Sequence, residues 1–589
     1  MMGAETMRSA LLLMSCGLMT GCKDKSANNT LPDDTEQLPF TIDTGDHVDT
    51  SDTETDTGDT GQTVDALESV ALYPADLTVH TGATFSMRAT GTWSDGALSE
   101  LSPTWSSSDE KIATIDSDGI VTALSPGAVS LTAASGGQDA SVPLTVSDDG
   151  LVHVSVISAT SGEPVPDIKV RLGDEDLYYV THADGTASVP VPTDAGGGPI
   201  EITAYGEAFV AATIWGTVSR TLTIPVHTDG EFWAANARLS GDVDFSSVDE
   251  GGLGDMTIGL VVPSFRYGPL LIEPGDLMAE NRTVSVYGLK TDIPANLALR
   301  NHAEGYAAST PAEGGVGAAW VIAAAMPIGD ITGALDEDTS DTEAALALLG
   351  EHVDALRWGW QGVQGIAAGE TSSVNMAPSR KLSQRTRIQT GPLPGGFAGT
   401  EQPLVMVGEW LPEAGMLVTG LALGVENVSV PTAPDGSVQG SDGTIAMSIA
   451  QVSGLGSGGA ISSAWGPVID DAATLPLFQN TPTVSGFDAV SHDFSMWTDP
   501  RSDYVRVILQ SRDGTTRIVY LPGGEVAGVL SDPGFPMGYA VVIWRILSLE
   551  TTADTFEGMV RRGDLVATSL AARSWTAAQA SVTTTTTGH

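Results

Sequence analysis

The chain has 589 residues, which at about 100 to 200 residues per domain corresponds to three to five folding units. Its 26 lysines and arginines are opposed by 74 aspartates and glutamates, and the formal charge of -48 excludes sequence-independent binding to nucleic acid or to anionic lipid headgroups. Hydrophobic residues make up 41% of the chain and charged residues 17%, so most of the chain is expected to fold.

The N-terminus predicts export. Arg8 precedes the apolar run Leu11–Met19 and small residues, a pattern that predicts a signal peptide over residues 1–21 and is too short to span a bilayer. The segment Met19-Thr20-Gly21-Cys22 resembles a bacterial lipobox, which implies that Cys22 receives a thioether lipid and becomes the first mature residue. The alternative is an ordinary signal peptide in which this cysteine is incidental.

Lipidation of Cys22 would determine both redox chemistry and location. Cys16 and Cys22 are the only cysteines, and cleavage would remove the first while acylation would consume the second. The mature chain would then form no disulfide, and thiol catalysis, zinc ribbons and iron-sulfur clusters are excluded. Lys23 stands where an aspartate often signals retention in the inner membrane, so the resemblance implies lipid anchoring in the outer membrane with exposure at the cell surface. No cofactor is predicted.

Residues 22–66 predict a disordered linker. Residues 23–66 contain 12 acidic and 2 basic side chains among many threonines and glycines, which leaves too little apolar surface for a core. Specific calcium binding is the alternative, but the EF-hand pattern is absent and the aspartates are irregularly spaced. A charged spacer between the lipid surface and the folded part is the simpler interpretation.

Residues 67–147 predict a β-sandwich, because short apolar strands alternate with turn residues. The segment from Trp105 to Ala133 resembles the bacterial immunoglobulin-like domain of group 2, with its Trp-Ser-Ser motif, Asp118-Gly119 turn and Pro126-Gly127 turn. Trp105 is the predicted core anchor. The predicted sheet residues are Ile112, Ile115, Val121, Leu124, Val129 and Leu131.

Residues 148–230 predict a second sandwich. The segments Ser161–Leu172 and Thr181–Pro192 resemble the carboxypeptidase-regulatory-like, transthyretin-type fold, which implies a scaffold and not proteolysis. Alternation of apolar and polar residues predicts half-buried strands at Val152–Val156 and Ile200–Ala204.

Residues 231–589 predict a further mainly β region of one or two units. The expected fold class is therefore mainly β and multidomain, with tandem sandwiches, a larger β-rich region and one or a few helices. Predicted strands are Met256–Val262, Thr283–Tyr287, Leu404–Val407, Met416–Leu423, Ile445–Val452, Tyr504–Leu509, Arg517–Leu521 and Tyr539–Leu547. The 13-residue run Val316–Ile328 predicts buried core. A capping-box spacing at Ser340 and Glu343 predicts a helix with an apolar stripe at Leu346, Leu349, Val353 and Leu356.

Motifs of familiar chemistry are absent from the sequence: no H-E-x-x-H, G-x-S-x-G or Walker motif occurs. His352 and His492 lie beside acidic residues, but a structural role is favoured over a ligand or general base for both. Asp470-Asp471 invites comparison with glycosidase carboxylates, and a turn is the favoured interpretation. Trp358 and Trp360 would face one side of a strand, where they either stack on sugars or, as favoured, pack in a core.

These features predict a non-enzymatic, lipid-anchored surface protein that presents β-sandwich modules for adhesion or for binding a protein or glycan partner. Two other functions remain open. One is an envelope-anchored hydrolase with its active site in residues 240–589, and the other is a periplasmic assembly component that faces inward.

Overall fold

The computed structural model describes residues 66–580 apart from 95–97, 160, 193–194, 229–235, 265–280, 287, 312–315, 328–351, 353–354, 365–368, 394–402, 412–413, 435, 452–459, 488–492, 512–514, 532–540, 552–553 and 566–571. The signal peptide, Cys22, the charged linker and His492 lie outside the described residues, and so does the predicted helix except at its end. The fold is mainly β, as predicted, and its strands are arranged in several sheets.

The first module is built from ten strands. Three small sheets, in the orders β1-β4-β5, β2-β10-β9-β6 and β3-β8-β7, enclose one apolar core. Their bounds are β1 Leu67–Tyr73, β2 Leu77–Val79, β3 Thr84–Ser86, β4 Arg88–Trp93, β5 Leu98–Glu100, β6 Thr104–Ser107, β7 Ala113–Ile115, β8 Ile120–Ala123, β9 Gly127–Ser135 and β10 Gln138–Val146.

Most of the predicted core of this module is confirmed. Val121, Val129 and Leu131 are buried, and three further predicted residues pack partly buried against them: Trp105, Ile112 and Ile115. Leu124 was predicted wrongly, because it lies one residue beyond the end of β8 and is 46% exposed. The predicted turn at Gly119 has a φ of 77°, a conformation that glycine adopts without steric cost.

The second module contributes seven strands. The sheet β14-β11-β17 faces the strands β13-β12-β15-β16 across an apolar core. The predicted alternation is confirmed, because Val152, Val154 and Val156 on β11 are buried, as are Ile200, Ile202 and Ala204 on β15. The bounds are β11 Leu151–Ser158, β12 Lys169–Leu172, β13 Tyr179–Val180, β14 Thr186–Pro190, β15 Ile200–Gly206, β16 Phe209–Thr217 and β17 Thr221–Val226.

Among the residues that the structure describes, the C-terminal region contributes twenty-four strands and a short α-helix, α1, at Phe556–Arg562. Each predicted strand coincides with an observed one at the positions the structure describes. The strands are β18 Asn236–Asp242, β19 Asp255–Pro263, β20 Asn281–Val286, β21 Leu289–Pro294, β22 Leu297–Leu299, β23 Gly305–Pro311, β24 Val316–Pro327, β25 Arg357–Gln364, β26 Thr371–Ser373, β27 Arg380–Lys381, β28 Gln384–Gln389, β29 Leu404–Leu411, β30 Gly415–Leu423, β31 Asn427–Thr432, β32 Gly443–Gln451, β33 Ala460–Pro467, β34 Ala472–Thr474, β35 Thr483–Phe487, β36 Asp493–Trp497, β37 Tyr504–Ser511, β38 Thr516–Pro522, β39 Glu525–Val529, β40 Val541–Thr551 and β41 Ala572–Ala580.

The predicted apolar core segment at Val316–Ile328 forms β24. This strand is central in the five-stranded sheet β22-β19-β24-β25-β27, and its described side chains, from Ala318 to Met326, are mostly buried. Among the described residues, no helix has both the length and the apolar character that crossing a membrane requires.

The sheet of the second module does not end at residue 230. Strand β16 pairs in parallel with β38, from Ala211 opposite Arg517 to Ile214 opposite Tyr520. The result is a fifteen-stranded sheet with the order β13-β12-β15-β16-β38-β37-β40-β41-β33-β32-β29-β30-β31-β28-β34. Parallel pairing needs a long connection between partners, and here it spans about 300 residues.

Candidate functional site at the junction of the modules

Helix α1 completes the core of the second module. Thr555 caps its N-terminus by accepting a hydrogen bond from Gly558 N, and Gly563 ends it with a φ of 78°. Phe556, Met559 and Val560 at helical spacing are buried and join the second module's core cluster. Helix α1, more than 300 positions downstream in the chain, therefore contributes apolar side chains to the core of the second module.

Glu557 fastens this helix to the end of β16. The residue is partly exposed, but its carboxylate is turned inward: Oε2 accepts from Thr217 Oγ1 at 2.6 Å and from Ser219 N at 3.2 Å, while Oε1 accepts from Val218 N at 3.0 Å. Burial raises the pKa of Glu557, against the effect of these hydrogen bonds. The carboxylate thus satisfies the donors of the turn that follows β16.

Arg220 lies in the same turn, between β16 and β17, and is buried. Its guanidinium donates to Val218 O at 3.2 Å, Gly196 O at 2.9 Å and Gly198 O at 3.1 Å. Burial lowers the pKa of Arg220, and the nearby Glu557 carboxylate opposes this effect. These contacts tie the loop that precedes β15 to the turn held by α1.

Asp554 and Arg562 form an ion pair across the helix. The Asp554 side chain is fully buried and accepts from Thr555 N at 2.7 Å, and it pairs with the guanidinium of Arg562. Burial raises the pKa of Asp554, while Arg562 acts in the opposite direction. A buried carboxylate in this position depends on its cation, because loss of one partner leaves the other charge uncompensated.

The first module contacts the same helix. Arg88 on β4 pairs with the carboxylate of Asp503 and donates to Asp554 O at 3.3 Å. Nearby, Arg561 Nε lies 3.3 Å from Asp76 Oδ1. Arg220 N also donates to Thr78 O at 2.7 Å, which links the backbones of the two modules directly.

A close approach of backbones adds to this contact. Gly197 packs against the segment 81–83 of the first module so tightly that a Cβ on it would overlap the backbone N of Ala83 and lie 2.7 Å from Thr81 O. Val218 of the second module is buried in the first module's core. The first module is therefore held by α1, by the loop at Gly197 and by the turn at Val218.

A second buried charge pair fixes the second module to the C-terminal strands. Arg517 Nη2 lies 2.8 Å from Glu201 Oε1, and the two side chains are 4% and 9% exposed. Arg517 also donates to Thr213 Oγ1 at 2.9 Å and to Ser531 O at 2.7 Å. Glu201 accepts from the hydroxyl and the backbone N–H of Ser531. Each polar group of the pair is thus matched, as a buried pair requires.

Trp358 and Trp360 on β25 and the pair Asp470-Asp471 before β34 occupy separate elements of the fold. Trp358 and Trp360 lie on one side of β25, as expected: Trp358 is buried with Nε1 donating to Val418 O at 2.8 Å, and Trp360 is half-buried and donates to Ser437 O at 2.9 Å. The core role favoured for them is confirmed for Trp358. Asp470 and Asp471 form a turn, as favoured, with φ values of 50° and 59°. His352 is partly buried.

The residues of the junction were not predicted as a site, because their partners are distant in sequence. Glu557 and Thr217 are separated by 340 positions, and no local sequence pattern predicts a contact over such a distance along the chain. In the part of the chain that the structure describes, no group of three or more histidines, cysteines and carboxylates is arranged to hold a metal ion.

The first module has a recognised family. Residues 66–146 match the model described as the bacterial Ig-like domain (group 2). Residues 66–146 form a bacterial Ig-like domain. This Ig-like domain carries Asp76, Thr78 and Arg88, so three of the junction contacts belong to it.

A curated relative shares a limited segment with the chain. Ice-binding protein 1 of Shewanella frigidimarina is 39% identical over 93 residues, which are 15% of this chain and 10% of that protein. The chain thus spans about a tenth of the length of that relative.

The solved structures that match the chain are remote. Domains 5–6 of the S-layer protein SbsC match at 12% identity, with a TM-score of 0.13, over 44% of this chain and 91% of that structure. The minor pilin GBS52 of Streptococcus agalactiae matches at 9% identity, with a TM-score of 0.12, over 39% and 95%. Native E. coli alpha-2-macroglobulin matches at 10% identity, with a TM-score of 0.18, over 82% and 39%.

Proposed function

We propose that this protein is a non-enzymatic cell-surface lipoprotein, anchored in the outer membrane through Cys22, which presents its Ig-like domain and a large β-rich body for adhesion to a protein or glycan partner. The single observation that carries the proposal is the docking of the Ig-like domain on the body through Arg88, Gly197 and α1. Such docking restricts the orientation of the domain, which lowers the conformational entropy that is lost when a partner binds.

The perturbed carboxylates support a structural role over a catalytic one. Asp554 is paired with Arg562, and Glu557 is saturated by a hydroxyl and two backbone N–H groups. The pKa of Asp499 is about 2, because hydrogen bonds from Arg501 and Asn480 outweigh the opposing effect of burial. Each carboxylate therefore has protein partners in place of a substrate.

Binding is tested by probing an array of glycans and envelope or host-surface proteins with the purified chain from residue 23 onward. We expect saturable binding to one ligand class that persists at 0.5 M salt. The matched control is Glu250→Gln, because Glu250 is 81% exposed and its loss should leave the fold and the binding unchanged. Binding to no ligand on the array, together with turnover of a polymeric substrate, would replace this proposal by the hydrolase alternative.

A further inference from the structure

The short strand β13 lies at one end of the fifteen-stranded sheet. Among the strands that the structure describes, it pairs only with β12, opposite Lys169 and Val170. Thr181, the next residue, donates its backbone N–H to Ile168 O at 2.9 Å. Backbone groups alternate in direction along a strand, so the N–H and C=O of Val180 point away from β12. This edge therefore offers backbone hydrogen-bonding groups to a further strand.

The side chains at this edge are unusually apolar for an exposed surface. Leu177 is 67% exposed, Tyr178 50% and Val180 44%, while Tyr179 between them packs on the core of the second module. Lys169 Nζ lies 4.9 Å from the ring centroid of Tyr178 and 5.9 Å from that of Tyr205. Two aromatic rings thus hold the lysine beside the exposed apolar side chains.

Charge limits which partner can occupy the edge. Asp174, Glu175 and Asp176 are exposed and directly precede Leu177. A second copy of the chain would bring the same three carboxylates and a formal charge of -48, and anionic lipid or nucleic acid would also be repelled. A cationic segment is attracted, because the three carboxylates outnumber the single ammonium of Lys169 at this edge, and its apolar side chains can cover Leu177 and Val180.

We propose that the β13 edge, formed by residues 174–180, is a docking site for an extended, lysine- or arginine-bearing segment of a partner protein. The segment adds a strand beside Tyr179–Val180, places its apolar side chains on Leu177, Tyr178 and Val180, and pairs its cations with the three acids. This inference rests on the proposed function, because it names the class of partner that the displayed body binds.

The test measures fluorescence anisotropy of a labelled octapeptide of alternating lysine and valine, titrated with the full chain. Two comparison peptides are alternating glutamate and valine, and the lysine peptide N-methylated at alternate residues. We expect the lysine peptide to bind, and both comparison peptides to bind at least tenfold more weakly. Val180→Pro, which removes an edge N–H, should weaken binding at least tenfold. The combined variant Asp174→Asn, Glu175→Gln, Asp176→Asn should do the same at low salt.

Leu253→Ser is the matched control, because Leu253 is fully exposed elsewhere and should leave the affinity unchanged. If Val180→Pro lowers the melting temperature, the surface variant Tyr178→Lys replaces it: it removes an apolar ring from the edge and should also weaken binding of the lysine peptide. Equal binding of the three peptides, no binding of the lysine peptide, or glycan binding that Tyr178→Lys abolishes would overturn the inference. Surface exposure on intact cells is scored separately, so failure of this docking site is distinguishable from failure of the proposed function.

Discussion

Glu557 Oε2 accepts a hydrogen bond from Thr217 Oγ1 at 2.6 Å, although the two residues are 340 positions apart. The same carboxylate oxygen accepts from Ser219 N, and Val218 between them is buried in the core of the Ig-like domain. One side chain near the C-terminus therefore holds the turn on which the Ig-like domain rests. The hydrogen bonds of Glu557 thus join the C-terminal helix α1 to the end of β16, across a connection of more than 300 residues.

Glu557→Ala should destabilise the chain substantially. The substitution removes the acceptor of the Thr217 hydroxyl and of Val218 N, while Ser219 N keeps its second acceptor, Thr217 Oγ1 at 3.1 Å. Each unmet buried donor costs about 1 to 3 kcal/mol. We expect a loss of at least about 2 kcal/mol in the free energy of unfolding, measured by urea denaturation. Glu207→Ala, at an exposed glutamate of the same module, is the control and should change stability by less than about 0.5 kcal/mol.

The stability that Glu557 contributes should depend on pH in one direction. The pKa of Glu557 is raised above its ordinary value of 4.5, so its contribution to stability is complete below pH 4.5 and is lost as the pH rises through the raised value. The stability difference between wild type and Glu557→Ala should therefore narrow from pH 4.5 upward. A difference that widens with pH would contradict the assignment of a buried carboxylate here.

Glu201→Gln should weaken the join between β15 and the C-terminal strands. It leaves the buried Arg517 guanidinium without its counter-charge, and breaking such a pair costs about 3 to 5 kcal/mol. Glu250→Gln is the control, because Glu250 pairs with Arg300 while 81% exposed and should cost at most about 1 kcal/mol. In a double-mutant cycle, Glu201→Gln with Arg517→Met should lose less than the sum of the single variants. Additive losses would show that the pair is uncoupled.

Gly197→Ala should loosen the Ig-like domain from the body. An added Cβ would overlap the backbone of the segment 81–83, which cannot move as a flexible side chain can. We expect faster hydrogen exchange at Thr78–Ala83 and a cleavage site for protease at this junction. Gly252→Ala is the control, since its Cβ would meet Asp255 Oδ2 at an ordinary 3.6 Å. Identical exchange in the two variants would refute the close packing.

Salt should stabilise the whole chain. Only six of the 26 basic residues are lysines and the formal charge is -48, so screening of self-repulsion should raise the melting temperature between 50 mM and 1 M sodium chloride. Differential scanning calorimetry measures this shift. Equal melting temperatures at the two salt concentrations would show that charge repulsion does not lower the stability of the folded chain substantially.

Local patterns predicted the strands well, because the information lies within each strand. Val152, Val154 and Val156 alternate with polar residues, and such alternation identifies a half-buried strand wherever its partner lies. Leu124 shows the limit of this reasoning: one position beyond the strand end, an apolar side chain faced solvent. Its exposure depends on where β8 ends, which the pattern does not specify.

The junction could not be predicted, because it depends on contacts that have no local signature. Helix α1 was not predicted, although Thr555 as a cap, Arg561 and Arg562 in the last turn and Gly563 at its end are ordinary signals of a helix. Its buried residues nevertheless pack in the core of the second module, which lies more than 300 positions earlier in the chain, and no local pattern predicts that contact. Likewise, the pairing of β16 with β38 brings together strands whose sequences fit many partners equally well.

The central claim is that the chain is displayed outside the cell on a lipid at Cys22. The most direct measurement is protease treatment of intact cells that express wild type or Cys22→Ser, with the remaining chain quantified in membrane and soluble fractions. The account predicts that wild type fractionates with membranes and is degraded on intact cells, whereas Cys22→Ser is lost from the membrane fraction. Wild type that resists the protease on intact cells, or a variant that fractionates as wild type does, would contradict it.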